Sequence, residues 1–597
     1  MLSPRLYRAA LVPAAIAVAI ASFSLGGRAT PLQASFTPDA FEGARALADT
    51  RALAAGFPDR RAGGAGDAEL AEHIASMLEG LGGTAGGGFS VRELHTEGQT
   101  LDGERTLTTV LAQRPGSTSA PAVLIVAHRD AAARGSEAEM SGTAALLELA
   151  RVFAARETKR TVILASTSGG SGGDAGAAAL ASQIHQPIDA AIVLGDLASA
   201  RVRRPEVVPY SDALGSAPAL LVRTVSDAVA HQTGSSAGAP SLAGQLAHLI
   251  LPLAPGEQGV LDARGIPAVL VQASGERGPA PGAAISGERL EGLGRAVLNS
   301  VDALDSAPDI SPAMPSSVVL ARKTVPPWAI RLLVAALLLA PALVAVDGLA
   351  RARRRKLAVG RWTLWTLSCA LPFLSCTLFI YLLSALGVLG GMPGVPPPSG
   401  VLGFGGTAAT VLVAALLTFA LAWLLWAMLV GRLAFGTRPD TDVAGLSVVL
   451  VLLGVAAVVW VGNPYEALLL VPALHLWLLL ASPELRLRRS VSLALVLVGL
   501  APLAVIVAFF AHQLSLGVGT LPWSVALLIA GGHIGFGSAL LWSVALGGLA
   551  AAGMVALAPP RPLPELRSGR RLEVTIRGPL TYAGPGSLGG TESALRR

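Results

Sequence analysis

Polar residues that could do metal chemistry follow two predicted strands of the sequence. His128 and Asp130 come at the end of the apolar run 121–128, and Asp196 comes at the end of the run 190–197. A histidine and carboxylates at neighbouring strand ends can bind a divalent metal, and Asp130 could orient the imidazole through a hydrogen bond. The same spacing fits ordinary polar residues at strand ends, so the residues alone leave both interpretations open.

A second possible chemistry is that of a serine nucleophile. Residues 169–173 read GGSGG, which fits the G-x-S-x-G pattern between a predicted strand and a predicted helix and places Ser171 at its centre. Asp196 together with His231 or His248 would complete a catalytic triad in chain order. A pattern this short arises easily in a glycine-rich loop, so a serine hydrolase is kept as a further alternative.

The elements that must position these residues alternate between strand and helix. Strands are predicted over 121–128, 161–167, 190–197 and 266–273, and helices over 67–82, 141–155 and 174–185. This alternation predicts an α/β domain with a mainly parallel or mixed sheet and flanking helices. In such a domain, chemistry is expected at the carboxyl ends of the strands.

Six runs within residues 45–305 occur in an order that is informative: FPDRRAGGAGDAELAEHIASMLEGLG, VLIVAHRD, SGTAALLELARVF, TVILASTSGGSGGDAGAAALA, IVLGDL and ARGIPAVLV. In this order they resemble the zinc peptidases of the aminopeptidase Y type, peptidase family M28. The resemblance implies a zinc aminopeptidase-like fold. It also implies a site in which His, a bridging Asp, Glu, Asp and His hold two zinc ions while a second Glu acts as general base.

Part of that site is retained in this chain. The resemblance places His128 on the first histidine ligand, Asp130 on its companion carboxylate and Asp196 on the second aspartate. The final histidine is missing, because residues 273–282 read ASGERGPAPG. Two of the five ligands therefore remain.

The remaining positions have changed type. Ala138 stands where the bridging aspartate belongs, with Glu137 and Glu139 on either side as its possible substitutes, and Gly170 and Ser171 stand where the Glu-Glu pair belongs. Loss of a general base alone costs about 10²- to 10⁴-fold in rate. We therefore predict a pseudopeptidase that acts in binding or assembly and needs no cofactor, with zinc bound only if the remnant site still holds it. An active metal-dependent aminopeptidase or hydrolase is the alternative.

The composition excludes a wholly soluble protein. Of 597 residues, 52% are hydrophobic and 14% are charged, whereas soluble domains carry about 25% charged residues. The long uncharged stretches lie mostly after residue 325, which predicts an all-α transmembrane bundle following the α/β domain. The net charge of +6 comes without a basic stripe in the aqueous part, so nucleic acid is not expected as a partner.

Eight membrane spans are predicted from the apolar runs. They cover about 9–25, 328–346, 362–386, 404–430, 443–461, 466–482, 490–511 and 537–558. Nine is the alternative, because 521–558 is long for one span; we prefer one span with an interfacial or re-entrant piece before it. His475 lies inside a span, and we expect a neutral histidine bonded between helices, with a proton or ion site as the other possibility.

The basic residues predict the orientation of these spans. Basic clusters such as 351–356 follow alternate spans, and the positive-inside rule places them in the cytoplasm. The prediction is a retained signal anchor over 1–29, an extracytoplasmic peptidase-like domain over 30–325, a multispanning region over 326–558 and a cytoplasmic tail over 559–597. The expected location is the plasma membrane with both termini cytoplasmic, and the expected partners are the lipid bilayer and an extracytoplasmic peptide or protein.

Overall fold

The architecture is taken from a computed structural model of the chain. It describes residues 4–34, 38–82, 88–200, 204–237, 241–307, 316–320, 323–389, 393, 404–434, 441–480 and 487–558. The predicted cytoplasmic tail, 559–597, lies outside the described residues, as do parts of several predicted loops between spans.

Two sheets are present among the described residues. The strands are β1 (Gly26–Gly27), β2 (Ser90–Thr100), β3 (Gly103–Arg114), β4 (Ala122–His128), β5 (Val162–Thr167), β6 (Ile188–Leu194), β7 (Glu206–Val208), β8 (Ala268–Gln272), β9 (Val318–Val319) and β10 (Lys323–Val325). The large sheet has the order β2-β3-β5-β4-β6-β8-β7, and the small sheet has the order β1-β10-β9. In the large sheet, β5, β4, β6 and β8 are parallel, and the outer strands β3, β2 and β7 are antiparallel to their neighbours. The sheet is therefore mixed.

Helices flank the large sheet on both faces. They are α3 (Gly43–Gly56), α4 (Ala65–Glu79), α5 (Glu137–Ala154), α6 (Ala175–Gln183), α7 (Ala219–Thr233), α8 (Leu242–Ile250), α9 (Glu257–Ala263) and α10 (Gly287–Ser306), and they follow two N-terminal helices, α1 (Pro4–Ala10) and α2 (Val12–Phe23). Alternate residues of β4 point to opposite faces: Val123 and Ile125 pack with α5 and α10, whereas Leu124 and Val126 pack with α6 and α9. Because both faces of the sheet are covered by helices, the sequence of β4 is a continuous apolar run.

The predicted α/β domain is confirmed, as are its parallel strands. The four predicted strands correspond to β4, β5, β6 and β8, with ends that differ by up to three residues, and the three predicted helices correspond to α4, α5 and α6. The hairpin of β2 and β3 was not predicted from the sequence. The residues of strand β2 are mostly exposed and polar, so this strand has no apolar run that would have predicted it.

The second half of the chain is helical. Its helices are α11 (Pro327–Arg354), α12 (Val359–Ser368), α13 (Leu371–Ala385), α14 (Gly406–Trp426), α15 (Thr441–Gly462), α16 (Pro464–Ala467), α17 (Val471–Leu480), α18 (Arg489–Gly499), α19 (Ala501–Gln513), α20 (Thr520–Ala530) and α21 (Phe536–Leu557). A π-helical turn, Ala427–Ala434, continues α14. Among the described residues, six helical segments are long and apolar enough to cross a membrane: Arg5–Phe23, Pro327–Arg354, Val359–Ala385, Gly406–Val430, Val443–Gly462 and Phe536–Leu557.

Two predicted spans take a different form in the structure. The span predicted over 490–511 is the pair α18 and α19, bent by 48° at Leu500, and counting it as one span gives up to seven among the described residues. The span predicted over 466–482 is the shorter apolar stretch Pro464–Leu480. Asn463 begins this stretch, because its side chain accepts hydrogen bonds from the backbone of Tyr465 and Glu466 as an N-cap. The piece predicted before the last span corresponds to the short helix α20.

The α/β domain and the apolar helices belong to one compact unit, Met1–Leu557. The side chain of Asn463 donates to the carbonyl of Leu249 at 2.7 Å, and His533 bonds the carbonyl of Pro252 at 2.9 Å. The ring of His248 lies edge-on to Phe510 of α19, with centroids 5.1 Å apart. The segment around α8 is therefore one part of the domain that contacts the apolar helices.

Candidate functional site

A small cavity of about 50 Å³ lies at the carboxyl ends of the parallel strands. Six side chains that could act as a metal ligand, an acid or base, or a nucleophile line it: His128, Glu139, Ser171, Asp174, Asp196 and Glu257. Four of these are residues that the sequence analysis selected. The structure thus brings together the ends of β4 and β6, the first turn of α5 and the loop after β5, as expected for a parallel sheet.

His128 ends β4 at the floor of this cavity. The side chain is half-buried, and its burial lowers the pKa of the imidazole, although the nearby Asp130 carboxylate acts in the opposite direction. The hydroxyl of Thr143 in α5 donates to the carbonyl of His128 at 2.8 Å. This contact joins the end of β4 to α5.

Asp130 serves the loop after β5 rather than the imidazole. One of its carboxylate oxygens accepts a hydrogen bond from the backbone N–H of Gly170 at 3.1 Å. The other accepts from the backbone N–H of Ser171 at 3.0 Å and also from the Ser171 hydroxyl. Asp130 is fully buried, so these three donors replace the water it has lost. In this geometry Asp130 therefore positions the loop after β5, whereas the sequence predicted that it would orient His128.

The loop after β5 packs directly against the histidine. A Cβ atom added at Gly170 would lie 2.4 Å from the Cβ of His128 and 2.6 Å from its Cγ. Contacts under 3.0 Å are essentially never seen for real Cβ atoms. Position 170 is one of the two positions where the resemblance places a glutamate, and the backbone there leaves no room for any side chain.

Asp196 closes β6 in a local turn. One carboxylate oxygen accepts from the backbone N–H groups of Ala198 and Ser199, each at 2.9 Å. Burial raises the pKa of this carboxyl, and the hydrogen bonds partly offset that shift. An aspartate bonded to the backbone two and three residues further on is a common way to end a strand.

The two glutamates beside Ala138 differ in their surroundings. Glu137 is exposed in the first turn of α5, whereas Glu139 is buried and lines the cavity. Burial raises the pKa of Glu139 to about 7, and the guanidinium of Arg60 limits the shift. Of the two residues proposed as substitutes for the bridging aspartate, Glu139 alone lines the cavity.

Two carboxylates of the cavity were not identified from the sequence. Glu257 begins α9 and is fully buried, which raises its pKa to about 8, and the hydroxyl of Thr167 donates to it. Asp174 is fully buried with a left-handed backbone (φ 50°), and burial together with Glu257 raises its pKa well above the usual range. Asp174 adjoins the GGSGG pattern, which could have drawn attention to it. Glu257 comes from a distant segment without such a signal.

The residues of this cavity do not fit a two-zinc centre. Throughout the part of the chain that the structure describes, no group of three or more His, Cys, Asp or Glu side chains is arranged to hold a metal ion. The oxygens of Asp130 are bonded to the loop, and Gly170 leaves no space for a ligand side chain. These residues therefore do not provide the ligand set of a zinc-dependent hydrolase.

The structure does not assemble the proposed serine triad. The hydroxyl of Ser171 donates to Asp130. Both ring nitrogens of His248 are engaged, with the carbonyl of Leu253 at 2.7 Å and with Glu276 at 3.1 Å. His231 is exposed on α7, and neither histidine lines the cavity. Ser171 accordingly lacks a histidine partner among the described residues.

His475 lies apart from this cavity, in α17. One ring nitrogen bonds the hydroxyl of Tyr7 in α1 at 2.6 Å, and the other bonds the carbonyl of Leu337 in α11 at 3.0 Å. Both nitrogens are therefore used between helices, which is the arrangement expected for a structural histidine.

Part of the α/β domain is similar to a known protein family. Residues 109–244, which run from β3 to α8, match the model of Peptidase family M28. No curated protein matches the chain.

Similar solved structures include a glutaminyl cyclase of Porphyromonas gingivalis, with 16% identity, a TM-score of 0.33 and coverage of 44% of this chain and 99% of that chain. A zinc aminopeptidase of Bacillus subtilis has 12% identity, a TM-score of 0.36 and coverage of 45% and 99%. A Zn-dependent exopeptidase of Parabacteroides distasonis has 17% identity, a TM-score of 0.34 and coverage of 43% and 97%. The segment matched by the family model contains His128, Asp130, Ser171 and Asp196.

Proposed function

We propose that the α/β domain of this chain, a member of peptidase family M28, acts by binding or assembly rather than by hydrolysing peptides. The observation that carries this proposal is the contact between Gly170 and His128, since it closes the place where a glutamate base would stand. Without a general base, the rate at which a metal-bound or free water attacks a peptide falls by about 10²- to 10⁴-fold. The hydrogen bonds that Asp130 accepts from the backbone of Gly170 and Ser171 hold the loop in this position.

The size of the cavity supports the same proposal. Its volume of about 50 Å³ is several-fold below the roughly 300–1,000 Å³ of pockets that enclose small ligands. We therefore propose that the domain binds a peptide or protein with its outer surface.

The membrane setting of the domain completes the proposal. The apolar helices associate the chain with lipid, and the domain contacts these helices around α8. We place the domain outside the cytoplasmic membrane, with segment 1–29 as a retained anchor and the basic cluster 351–356 in the cytoplasm. The proposed partner is an extracytoplasmic peptide or protein.

Metal content and peptidase activity of the full-length chain in detergent test the loss of hydrolysis. We expect substoichiometric zinc by elemental analysis and no cleavage across a panel of fluorogenic aminoacyl substrates. The matched control is Glu139→Gln, which removes the one acidic substitute in the cavity: trace activity from a contaminating peptidase would be the same in both preparations. One zinc per chain, together with chelator-sensitive activity that disappears in Glu139→Gln, would overturn the proposal.

A second candidate function, residual hydrolysis, is favoured by one observation. Glu139 lines the cavity with a pKa of about 7, which is the value that suits a general base at neutral pH. If it acts in this way, activity rises as pH increases through about 7, because the carboxylate form is the base. A rate that is flat across pH 5–9 and equal in Glu139→Gln would exclude this candidate.

Labelling of single cysteines tests the proposed orientation. The two native cysteines, Cys369 and Cys376, are first replaced by serine. Ser117→Cys places an exposed thiol in the domain, and Arg355→Cys places one in the basic cluster after α11. We expect a membrane-impermeant maleimide added to intact cells to label the first variant and to leave the second unlabelled until the cells are lysed. The opposite labelling pattern would show that the domain is cytoplasmic and that the proposed topology is wrong.

A further inference from the structure

The two edges of the large sheet differ in length. At one edge, β7 spans the three residues Glu206–Val208, and at the other edge β2 spans the eleven residues Ser90–Thr100. Strands in globular proteins are most often about 5–6 residues long. A long edge strand exposes a row of unpaired backbone groups to which another chain can add, and short edge strands are one way in which proteins avoid this. The edge of this domain that can accept a further strand is therefore β2.

Strand β2 is regular along its whole length. Its residues pair with β3 in one continuous antiparallel register, from Ser90 opposite Gln113 to Thr100 opposite Gly103. In such a ladder, alternate residues point both their N–H and their C=O groups away from the neighbouring strand. Among the described residues, β3 is the one strand that pairs with β2, and no backbone group of another element bonds it. The strand contains neither proline nor lysine, which protect many natural edges. Its open edge can therefore pair with a second extended segment.

The side chains of β2 differ between its two faces. Glu93, His95 and Glu97 are exposed on one face of the strand. Leu94 and Thr96 are half-buried on the other face, where Leu94 packs against an apolar cluster that includes residues of α6. A strand added beside β2 would therefore meet a polar row on one face and a partly apolar row on the other.

The polar row is acidic at both ends. Glu93 lies opposite Val110 of β3, and Glu97 lies opposite Thr106, whose hydroxyl donates to it at 2.7 Å. Neither glutamate thus has a basic residue opposite it in the ladder, and Glu93 lies 3.8 Å from the imidazole of His95 in its own strand. On an added strand, the positions opposite the two glutamates are four residues apart. Opposite charges at directly opposed positions stabilise a sheet, so charge complementarity favours a basic segment.

A second copy of the chain fits this edge less well than a basic segment does. It would present the same two glutamates, and like charges opposed across a ladder are destabilising. The half-buried face adds a further requirement. A residue beside Leu94 or Thr96 gains by being apolar, since it extends the cluster against which Leu94 packs. The segment that matches both faces is extended, and its residues are in turn basic, apolar, of any type, apolar and basic.

We propose that the β2 edge of the α/β domain binds an extended peptide segment of a partner protein by strand addition, with basic side chains opposite Glu93 and Glu97. This site rests on the proposed function in taking a peptide or protein as the partner. Main-chain hydrogen bonds supply affinity in this mode of binding, and alternate side chains supply specificity. None of the described residues that line the cavity at His128 belongs to β2, so binding and hydrolysis can be measured independently.

Fluorescence polarisation with the full-length chain in detergent tests the proposal. The probes are the labelled peptides TTKVTVKTT and TTEVTVETT. We expect the basic peptide to bind about tenfold or more tightly than the acidic one, the effect of two attractive pairs in place of two repulsive ones. Equal affinity for the two peptides would overturn the proposal.

Backbone N-methylation of the basic peptide tests the strand geometry. One version carries N-methyl groups on two residues at odd positions, and the other carries them on two residues at even positions. Because alternate residues of a strand point their N–H groups to the same edge, one version should lose binding and the other should retain it. Loss in both versions, or in neither, would show that the peptide does not add to β2 as a strand.

A charge swap in the protein supplies the matched variants. Glu93→Lys together with Glu97→Lys changes two exposed side chains and should reverse the preference, so that TTEVTVETT binds more tightly than TTKVTVKTT. Gain of binding to the acidic peptide also shows that this variant is folded. The control, Glu72→Lys together with Glu157→Lys, makes the same change in net charge at exposed glutamates outside β2 and should keep the wild-type preference. An unchanged preference in the first variant, or the same reversal in the control, would overturn the site.

Two further measurements separate this site from its alternatives. A dimer of the wild type in light scattering that the charge-swapped variant fails to form would make a second copy the occupant, and the proposal would be wrong. Cleavage of the bound peptide, detected by mass spectrometry, would overturn the proposed loss of hydrolysis and leave the site at β2 in place. Absence of both binding and cleavage would overturn the site at β2 and leave the loss of hydrolysis in place.

Discussion

The α/β domain and the helical half of this chain use the same apolar residues in opposite ways. In the domain, Leu124 and Ile125 are completely buried between the sheet and its helices. In the helical half, Leu416 and Leu417 of α14 are 65% and 64% exposed. Apolar surface of this extent is tolerated only where the surrounding medium is itself apolar. The comparison shows that the hydrophobic effect holds the first region together and holds the second region in lipid.

The two regions also treat charge differently. The domain buries ionic groups and gives them partners: Arg129 lies 2.8 Å from a carboxylate oxygen of Asp67, and the hydroxyl of Ser168 donates to the other at 2.5 Å. Charges in the helical half gather at helix ends, as in the run 351–356. Burial of a charge costs several kcal/mol unless it is paired, so only a domain with polar partners in its interior can contain one.

The largest contrast is expected for leucine truncation. Leu124→Ala should destabilise the α/β domain by about 2–5 kcal/mol, because it removes buried methyl groups and leaves a cavity. Leu416→Ala should cost well under about 1 kcal/mol, since lipid or detergent replaces the lost contacts. Near-equal costs would contradict the assignment of α14 to the membrane.

The two regions can be measured separately in the same preparation. All nine tryptophans lie at or after Trp328, so tryptophan emission reports the helical half alone. Amide hydrogen exchange of β4 reports the α/β domain. We expect Leu124→Ala to accelerate exchange in β4 while tryptophan emission stays unchanged.

A pH effect confined to the domain is expected next in size. Burial raises the pKa of Glu257 to about 8 from an ordinary value of 4.5, so the folded state keeps a proton that the unfolded state releases between these values. Stability should therefore fall as pH rises from about 4.5 to about 8, by a few kcal/mol from this group, with about 1.4 kcal/mol for each pKa unit. Below pH 4.5 the group should have no effect.

Glu257→Gln should remove much of this slope, and it should be more stable relative to the wild type at pH 8 than at pH 5. The control is Glu72→Gln, which changes an exposed glutamate of α4. The readout is the exchange of β4 across this pH range. An unchanged slope in Glu257→Gln would show that this carboxyl is not the source.

A smaller effect is expected at the loop against His128. Gly170→Ala should destabilise the domain by about 1–3 kcal/mol, because the added methyl group overlaps the imidazole. The double variant Gly170→Ala with His128→Gly should cost less than the sum of the two single changes, since the overlap is gone. Gly82→Ala, at a glycine with open space around it, is the control and should be close to neutral. Strict additivity would show that the two residues do not meet.

Local patterns of apolar residues in the sequence predicted much of the fold. The runs that became β4, β5, β6 and β8 are apolar throughout, because parallel strands covered on both faces need no polar residues. The long uncharged runs of the second half predicted helices for a similar reason. The bend at Leu500 and the N-cap of α16 at Asn463 were not predicted, because a break in a long apolar run depends on capping and packing rather than on composition.

The sequence by itself determined the types of residue at the strand ends: His128, Asp130 and Asp196 are present, and Gly170 and Ser171 replace a pair of acids. Those facts follow from covalent order, which no packing can alter.

Only the tertiary structure decided how these residues are used. It turned Asp130 toward the loop and buried Glu139 instead of Glu137. It also brought Glu257 into the cavity against Thr167, which lies 90 positions earlier in the chain. Such pairs are set by the crossing of distant elements, and neither spacing nor composition encodes which side chains the fold will place in contact.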